Sequence, residues 1–231
     1  MGAREGRGLA LKTNNSEWDP KHQPRQKHYF ILAITYTITY MNWETLICLG
    51  DSITIGARSY LSYPDYCGSK LKEATSKYWN VVNHAKSGMT TIELVRSITD
   101  NFNNLISHQP NVITILIGTN DLKSDTPSSD FEIAYTQVIV KAKLILRTQN
   151  IILFEIPELQ KGIMLPYNIS MNQKVLEFNK IIQQLGKEHK LMVKKFAADQ
   201  TDFYDGVHLN ETGSKNWGTQ LADIILQLRN G

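Results

Sequence analysis

A serine, and a histidine preceded by an acid, are the residues of this chain whose types and spacing could do nucleophilic chemistry. Ser52 follows a short apolar run that stops at Gly50. A serine hydroxyl is a weak nucleophile at neutral pH, so it needs a base, usually a histidine whose tautomer is fixed by a carboxylate or carbonyl. Asp205 and His208 offer both groups within one turn. We therefore expect Ser52 as nucleophile, His208 as base and Asp205 as the acid that orients the ring.

Each of these pieces also has a plainer interpretation. Gly, Asp and Ser are ordinary turn formers that hydrogen-bond their own backbone, so Ser52 alone is weak evidence for a nucleophile. His84 is a rival base, because it follows the second predicted strand and could line the same edge of the sheet. No carboxylate lies near His84 in the sequence to orient its ring, and this requirement favours His208.

The elements that must position these groups are strands of a parallel sheet. The run before Ser52 lacks polar alternation, which is typical of a strand covered on both faces. From Met41 onward, short apolar runs alternate with segments of helical period, which predicts an α/β domain. Ligands collect at the carboxyl ends of such strands, so the serine and the acid–base turn are expected at one edge. The predicted strands are Thr45–Leu49, Asn80–Asn83, Val112–Ile117, Ile151–Ile156 and Leu191–Phe196.

The segments between the strands carry helix signals. Ser129 with Glu132, and Ser170 with Gln173, match capping boxes that predict helix starts. Apolar residues three and four apart follow each box and recur near the end of the chain, and we expect these stripes to face the sheet. The stripes are Ile133, Val138, Ala142 and Ile145; Val175, Phe178, Ile182 and Leu185; and Trp217, Leu221, Ile224, Ile225 and Leu228.

Acyl transfer also requires hydrogen-bond donors that face the oxyanion of the tetrahedral intermediate. Gly88 follows the second predicted strand and allows close approach of the backbone, while Asn120 follows the third and could donate through its amide. Taken singly, the glycine fits a plain turn and the asparagine the start of a loop. Their positions at the ends of consecutive strands would bring both to the rim that holds Ser52.

On these blocks the chain resembles the SGNH hydrolases, also called GDSL-type lipases and esterases. The segment from Leu165 to Asn168 resembles the loop that the thioesterase and arylesterase branch of this family places near its acyl site. The similarity extends from Thr45 to about Leu228. The matching blocks are Gly50–Ser52 for the nucleophile, Gly88 for the oxyanion glycine, Gly118–Asp121 for the asparagine block and Asp205–His208 for the acid and base.

The resemblance implies a fold and a mechanism. The fold is a flavodoxin-like three-layer α/β/α sandwich on a five-stranded parallel sheet. The activity is that of a cofactor-independent serine ester hydrolase, which cleaves carboxylic esters or thioesters through an acyl-enzyme intermediate. The resemblance makes the amides of Ser52 and Gly88 and the side chain of Asn120 the oxyanion hole, and it gives Asp51 and Asp121 structural roles.

One long irregular connection, from Pro157 to Ile169, bears on the substrate. Its apolar residues Met164, Leu165 and Tyr167 indicate a lid or pocket wall, although a loop packed on its own helix is an equal alternative. As a wall they favour small-molecule esters with short or medium acyl chains, or aryl esters. Two other functions stay open: a carbohydrate O-deacetylase, and a non-catalytic α/β ligand-binding module.

Composition limits the partners. Residues 1–40 hold six of the 25 basic and three of the 22 acidic residues, which leaves 19 of each from Met41 onward and gives no basic patch for nucleic acid. Cys48 and Cys67 form no paired-cysteine motif, and no zinc, EF-hand or phosphate-loop spacing occurs, so neither a metal nor a cofactor is expected.

The first 40 residues differ from the rest of the chain. Residues 1–28 are polar and without hydrophobic period, while Tyr29–Tyr40 is β-prone but too short to span a bilayer. We expect a tail, leader or added sequence over 1–40, and one hydrolase domain over 41–231. A cytoplasmic location is expected, with export as the alternative if the native N-terminus carries a signal peptide. The sequence does not indicate an oligomeric state.

Overall fold

The computed structural model describes residues 43–146 and 150–230. The expected tail, 1–40, and its boundary with the domain lie outside the described residues. The strands are β1 Trp43–Gly50, β2 Tyr78–Ala85, β3 Val112–Leu116, β4 Ile151–Phe154 and β5 Met192–Lys194. The helices are α1 Ser52–Ile55, α2 Tyr63–Thr75, α3 Thr91–Asp100, α4 Phe102–Ser107, α5 Thr119–Lys123, α6 Ser128–Ile145, α7 Asn172–His189 and α8 Glu211–Asn230. Two 3-10 turns cover Ile169–Met171 and Gln200–Asp202.

All neighbouring strands of the described sheet run parallel, in the order β2-β1-β3-β4-β5. This confirms the predicted α/β class and the flavodoxin-like five-stranded sheet. The carboxyl ends of all five strands therefore point toward one edge, and that edge receives the loops that follow β1, β2 and β3. The strand order places β1 between β2 and β3, so the residue after β1 lies between the loops that follow those two strands.

The sheet is covered on both faces because successive residues of β1 point to opposite sides. Leu46 and Cys48 pack into one cluster with α2 and α8, while Ile47 and Leu49 pack into the other with α3, α6 and α7. These four side chains are fully buried. This burial on both sides explains why the strand before Ser52 carries no polar alternation.

Two details of the helices differ from the sequence prediction. The capping boxes are wrong: Pro127 occupies the N-cap of α6, and Asn168 caps the 3-10 turn that precedes α7 by accepting a hydrogen bond from the Ser170 amide. An N-cap residue needs an extended backbone conformation. Pro127 and Asn168 have such a conformation, and they precede Ser129 and Ser170 in the chain. The prediction that Ile133 faces the core is also wrong, because 59% of this residue is exposed. Phe131, two positions earlier, is buried.

The strands end before their apolar runs do. Ile117, Ile156 and Phe196 close three of the predicted strands, yet each lies beyond the last paired residue. All three remain buried, so hydrophobic burial alone accounts for their apolar character. They begin the loops that lead to the edge of the sheet.

Candidate active site

The position of Ser52 is fixed by the end of β1 and the start of the helix that follows it. The strand stops at Gly50, and Asp51 caps the short helix α1 by accepting a hydrogen bond from the Ile53 amide at 3.0 Å. Ser52 is thereby the first residue of that helix, and only 5% of it is exposed. The short turn between strand and helix fixes the hydroxyl at the carboxyl edge of the sheet.

The three residues predicted for nucleophilic chemistry form one hydrogen-bonded chain. Nε2 of His208 lies 2.9 Å from Oγ of Ser52, and Nδ1 lies 2.8 Å from Oδ2 of Asp205. A carboxylate can only accept, so Nδ1 carries the proton that it donates to Asp205. Nε2 is then left to accept the proton of the Ser52 hydroxyl. This is the tautomer that a general base requires.

The turn that carries the acid and the base is tightly specified. The backbone amide of His208 donates to Oδ1 of Asp205 at 2.8 Å, and that of Val207 donates to the same atom at 3.1 Å. Gly206 has φ of +77°, and a side chain there would lie 2.9 Å from the carbonyl oxygen of Gln160. The glycine between the acid and the base is therefore required by both backbone conformation and space.

The electrostatics of this turn keep Asp205 ionised. Partial burial acts to raise its pKa, but the hydrogen bonds from the backbone and ring of His208 outweigh this effect, so its pKa is lowered overall. The guanidinium of Arg58 adds a cation, with Nε 3.7 Å from Oδ2 of Asp205. Arg58 is not predicted from the sequence, because no motif marks it.

Two candidate oxyanion donors lie beside the serine. Gly88 has φ of +82°, in the left-handed region that favours glycine, and it lines the same cavity as Ser52, Asn120 and His208. Asn120 lies in the first turn of α5, and only 2% of it is exposed. Its Nδ2 donates to the carbonyl oxygen of Met89 at 3.0 Å, which ties the loops after β2 and β3 together.

Two buried carboxylates support these loops. Oδ2 of Asp121 accepts from the amide and hydroxyl of Thr91 at 2.9 and 3.0 Å, as Asp51 accepts from Ile53. Burial raises the pKa of Asp121, and burial together with the charge of Asp121 raises that of Asp51 to about 7. Both carboxylates bond backbone amides at the start of a helix, Ile53 in α1 and Thr91 in α3, which fits the structural roles that the resemblance implies.

The raised pKa of Asp51 predicts a pH-dependent stability. Its folded pKa, about 7, exceeds the ordinary value of 3.8, so between these values the folded chain binds more protons than the unfolded chain. The free energy of unfolding should therefore fall as pH rises from 4 to 7, by at most about 4 kcal/mol from this group. Asp51→Asn keeps an acceptor for Ile53 and should lose this dependence.

Chemical denaturation of the wild type and Asp51→Asn at pH 4 to 8 checks this expectation. The stability of the variant relative to the wild type should increase through this range and then level off above pH 7. The contributions of the other titrating groups largely cancel in the difference. Parallel curves would mean that Asp51 is ionised at its ordinary pKa inside the fold.

The cavity above the serine has a volume of about 510 Å³. All three predicted substrate-binding residues, Met164, Leu165 and Tyr167, line it. Met164 and Leu165 are exposed by 46% and 83%, whereas Tyr167 is only 6% exposed. The loop from Pro157 therefore forms a wall of the cavity. Tyr167 adds a contact that the sequence does not predict, because its hydroxyl reaches Asn120.

His84, the rival base, lies outside the cavity that contains Ser52. Nε2 of His84 is 3.0 Å from Oγ of Ser97, burial lowers its pKa, and its ring does not line the cavity of Ser52. Burial raises the pKa of Cys48 to about 12.

Within residues 43–146 and 150–230, no group of three or more His, Cys, Asp or Glu side chains could hold a metal ion. No helix in this part of the chain is long and apolar enough to cross a membrane.

Comparison with known proteins gives a family and a fold. A family model described as GDSL-like Lipase/Acylhydrolase matches residues 48–215, which include Ser52 and His208. No curated protein matches the sequence. Solved structures do match: a lipase/acylhydrolase from Enterococcus faecalis is 21% identical with a TM-score of 0.64, and covers 79% of this chain and 95% of its own.

Two further structures extend this likeness. An inhibitor-bound aryl esterase from M. smegmatis is 16% identical with a TM-score of 0.65. A carbohydrate acetylesterase from Sinorhizobium meliloti is also 16% identical with a TM-score of 0.65. Each covers 80% of this chain and 99% of its own length. At these identities the structures establish a common fold.

Proposed function

Because the chain belongs to the GDSL-like lipase/acylhydrolase family and is a carboxylic ester hydrolase, we propose that it cleaves small esters through an acyl-enzyme intermediate on Ser52. The observation that carries the proposal is the continuous chain of hydrogen bonds from Ser52 through His208 to Asp205, in which Ser52 and His208 line the cavity. A ligand-binding module would have no need of a serine whose hydroxyl donates to an oriented imidazole.

The proposal gives each group a role. Oγ of Ser52 attacks the ester carbonyl carbon while its proton passes to Nε2 of His208, and Asp205 stabilises the imidazolium that forms. The oxyanion that forms on the carbonyl oxygen is stabilised by hydrogen bonds from the amides of Ser52 and Gly88 and from Nδ2 of Asn120. The imidazolium then returns the proton to the leaving alcohol, and the acyl group stays on Ser52.

The second half of the reaction uses the same groups in the same order. A water molecule replaces the alcohol, and Nε2 of His208 takes its proton as the oxygen attacks the acyl carbon. Collapse of the second tetrahedral intermediate breaks the bond to Ser52, and the proton on His208 returns to Oγ. The carboxylic acid leaves and the hydroxyl is restored.

The walls of the cavity support a particular class of acyl group. Ile55, Met164 and Leu165 present apolar surface toward a space that also holds Ser52. Burial of an acyl chain against these side chains favours binding by about 25 cal/mol for each Å² of apolar surface removed from water. A cavity of about 510 Å³ suits a short or medium acyl chain or an aryl ester.

Hydrolysis of p-nitrophenyl esters with acyl chains of two to sixteen carbons tests this proposal. The value of kcat/KM should be highest at short or medium lengths and fall for the longest chains, which outgrow the cavity. A steady increase up to the longest chain would overturn the assignment of acyl size. Absence of hydrolysis across the whole series would overturn the proposed function itself.

A carbohydrate O-deacetylase is a second candidate, favoured by a separate polar cleft of about 450 Å³. The cleft shares Ser87 and Gly88 with the catalytic cavity, and it is also lined by Glu93, Arg96 and Asp100. Charged side chains in this arrangement can hydrogen-bond the hydroxyl groups of a sugar. The Sinorhizobium meliloti acetylesterase shares the fold.

Acetylated xylo-oligosaccharides distinguish the two candidates when they are added to the same assay. A deacetylase should release acetate with a higher kcat/KM than it shows for p-nitrophenyl acetate, and Arg96→Ala should reduce only the reaction with the sugar. The proposal of a small acyl or aryl ester substrate predicts the opposite ranking and no effect of Arg96→Ala.

A further inference from the structure

Tyr167 makes a contact with the oxyanion asparagine that the proposed mechanism does not yet use. Its hydroxyl oxygen lies 2.9 Å from Oδ1 of Asn120, while Nδ2 of Asn120 lies 3.0 Å from the carbonyl oxygen of Met89. Both side chains are buried, with 6% of Tyr167 and 2% of Asn120 exposed. Both also line the cavity that contains Ser52.

The two contacts together fix the direction of the amide. The carbonyl oxygen of Met89 can only accept, so the nitrogen of the Asn120 side chain must face it. The amide oxygen then faces Tyr167, whose hydroxyl must be the donor. One N–H of Nδ2 is used by Met89, which leaves the second N–H available to a substrate oxygen.

The surroundings of Tyr167 favour the protonated form of its hydroxyl. Burial raises the pKa of Tyr167, and the charges of Asp51, Asp205 and Asp121 raise it further. A hydrogen bond donated to the oxygen of an amide also polarises its N–H groups, which makes them better donors. The contact can therefore both orient and strengthen the proposed oxyanion donor.

We propose that Tyr167 is a positioning residue that holds the Asn120 amide for oxyanion stabilisation, an inference that rests on the ester hydrolysis proposed above. It acts through Asn120 and not on the substrate carbonyl. This role explains why a side chain in an otherwise exposed stretch of loop is buried: Leu165, two positions earlier, is 83% exposed.

The loop that carries Tyr167 also contacts the other side of the catalytic site. The amide of Gln160 donates to the carbonyl oxygen of Gly206 at 2.9 Å, and that of Met164 donates to the carbonyl oxygen of Asp205 at 3.3 Å. The amide of Tyr167 in turn donates to Met164 at 3.1 Å. One loop therefore holds the acid–base turn at one end and the oxyanion amide at the other.

Tyr167→Phe tests the proposal, because it removes the hydroxyl and keeps the ring. We expect kcat on a short p-nitrophenyl ester to fall about 3- to 10-fold, the range that one neutral hydrogen bond supplies. KM should stay within about twofold, since the donor acts on the transition state. Tyr135→Phe is the matched control: Tyr135 is buried, and its hydroxyl has no hydrogen-bond partner among the described residues.

A double-variant cycle with Asn120→Ala separates positioning from a direct or merely structural role. In that background Tyr167→Phe should change kcat by less than twofold, because no amide is left to position. An unchanged kcat for Tyr167→Phe alone, a raised KM, or an undiminished effect beside Asn120→Ala would each overturn the proposal. Melting temperatures identify any loss that comes from unfolding. A wild type that hydrolyses no ester would instead overturn the proposed function.

Discussion

Replacing Ser52 or His208 with alanine should lower kcat for ester hydrolysis by at least about 10⁴-fold. Each substitution removes one end of the same proton transfer, because Oγ of Ser52 and Nε2 of His208 share one hydrogen bond. Because the two residues act as a unit, removing one already removes the effect of the other. The kcat of the double variant should therefore lie within a few fold of that of either single variant.

Turnover of p-nitrophenyl esters by the purified variants measures these losses, and His84→Gln serves as the control for the histidine. His84 contacts Ser97 and does not line the cavity of Ser52, so its replacement should leave kcat nearly unchanged. An activity that survives His208→Ala but disappears in His84→Gln would show that the assignment of the base is wrong. Multiplicative losses in the double variant would show that the two residues act in separate steps.

The second large effect is expected from Asn120→Ala, which should lower kcat by roughly 10² to 10³, the usual loss for one oxyanion donor. KM should change little where chemistry limits turnover, because the amide faces the oxyanion more closely than the ground-state carbonyl oxygen. Combined with Ser52→Ala the substitution should add little, since no tetrahedral oxyanion forms by serine attack once the nucleophile is gone.

Stability measurements decide whether Asn120 has this role. Its Nδ2 also bonds Met89 and its Oδ1 accepts from the Tyr167 hydroxyl, so the variant should lose about 2 kcal/mol of folding free energy in addition to its loss of turnover. A variant that keeps nearly wild-type kcat but melts at a markedly lower temperature would show that the amide only ties the loops after β2 and β3 together.

The parts of the fold that follow from local chemistry could be predicted from the sequence. The buried strands are continuous apolar runs, and Ser52 follows one of them directly, so both the sheet and the position of the serine are visible in the chain. The acid and the base are three positions apart, and their contact depends only on one turn through Gly206. For these features sequence neighbours are also spatial neighbours.

The features that were missed depend on contacts between distant segments. Arg58 approaches Asp205 from the loop after α1, and Tyr167 meets Asn120 across the cavity, so no spacing within either segment indicates the pair. The capping boxes failed for a related reason. A serine followed by an acid or amide three positions later is a common pattern. Pro127 instead precedes the first residue of α6, and Asn168 caps the 3-10 turn before α7.

The central claim is that Ser52 is an activated nucleophile, and labelling with a fluorophosphonate probe tests it most directly. The intact mass of the wild type should increase by a single adduct, and peptide mapping should place that adduct on Ser52. Labelling should be absent in Ser52→Ala and much slower in His208→Ala, where the base is lost. A wild type that takes up no probe, or a Ser52→Ala variant labelled as fast as the wild type, would contradict the account.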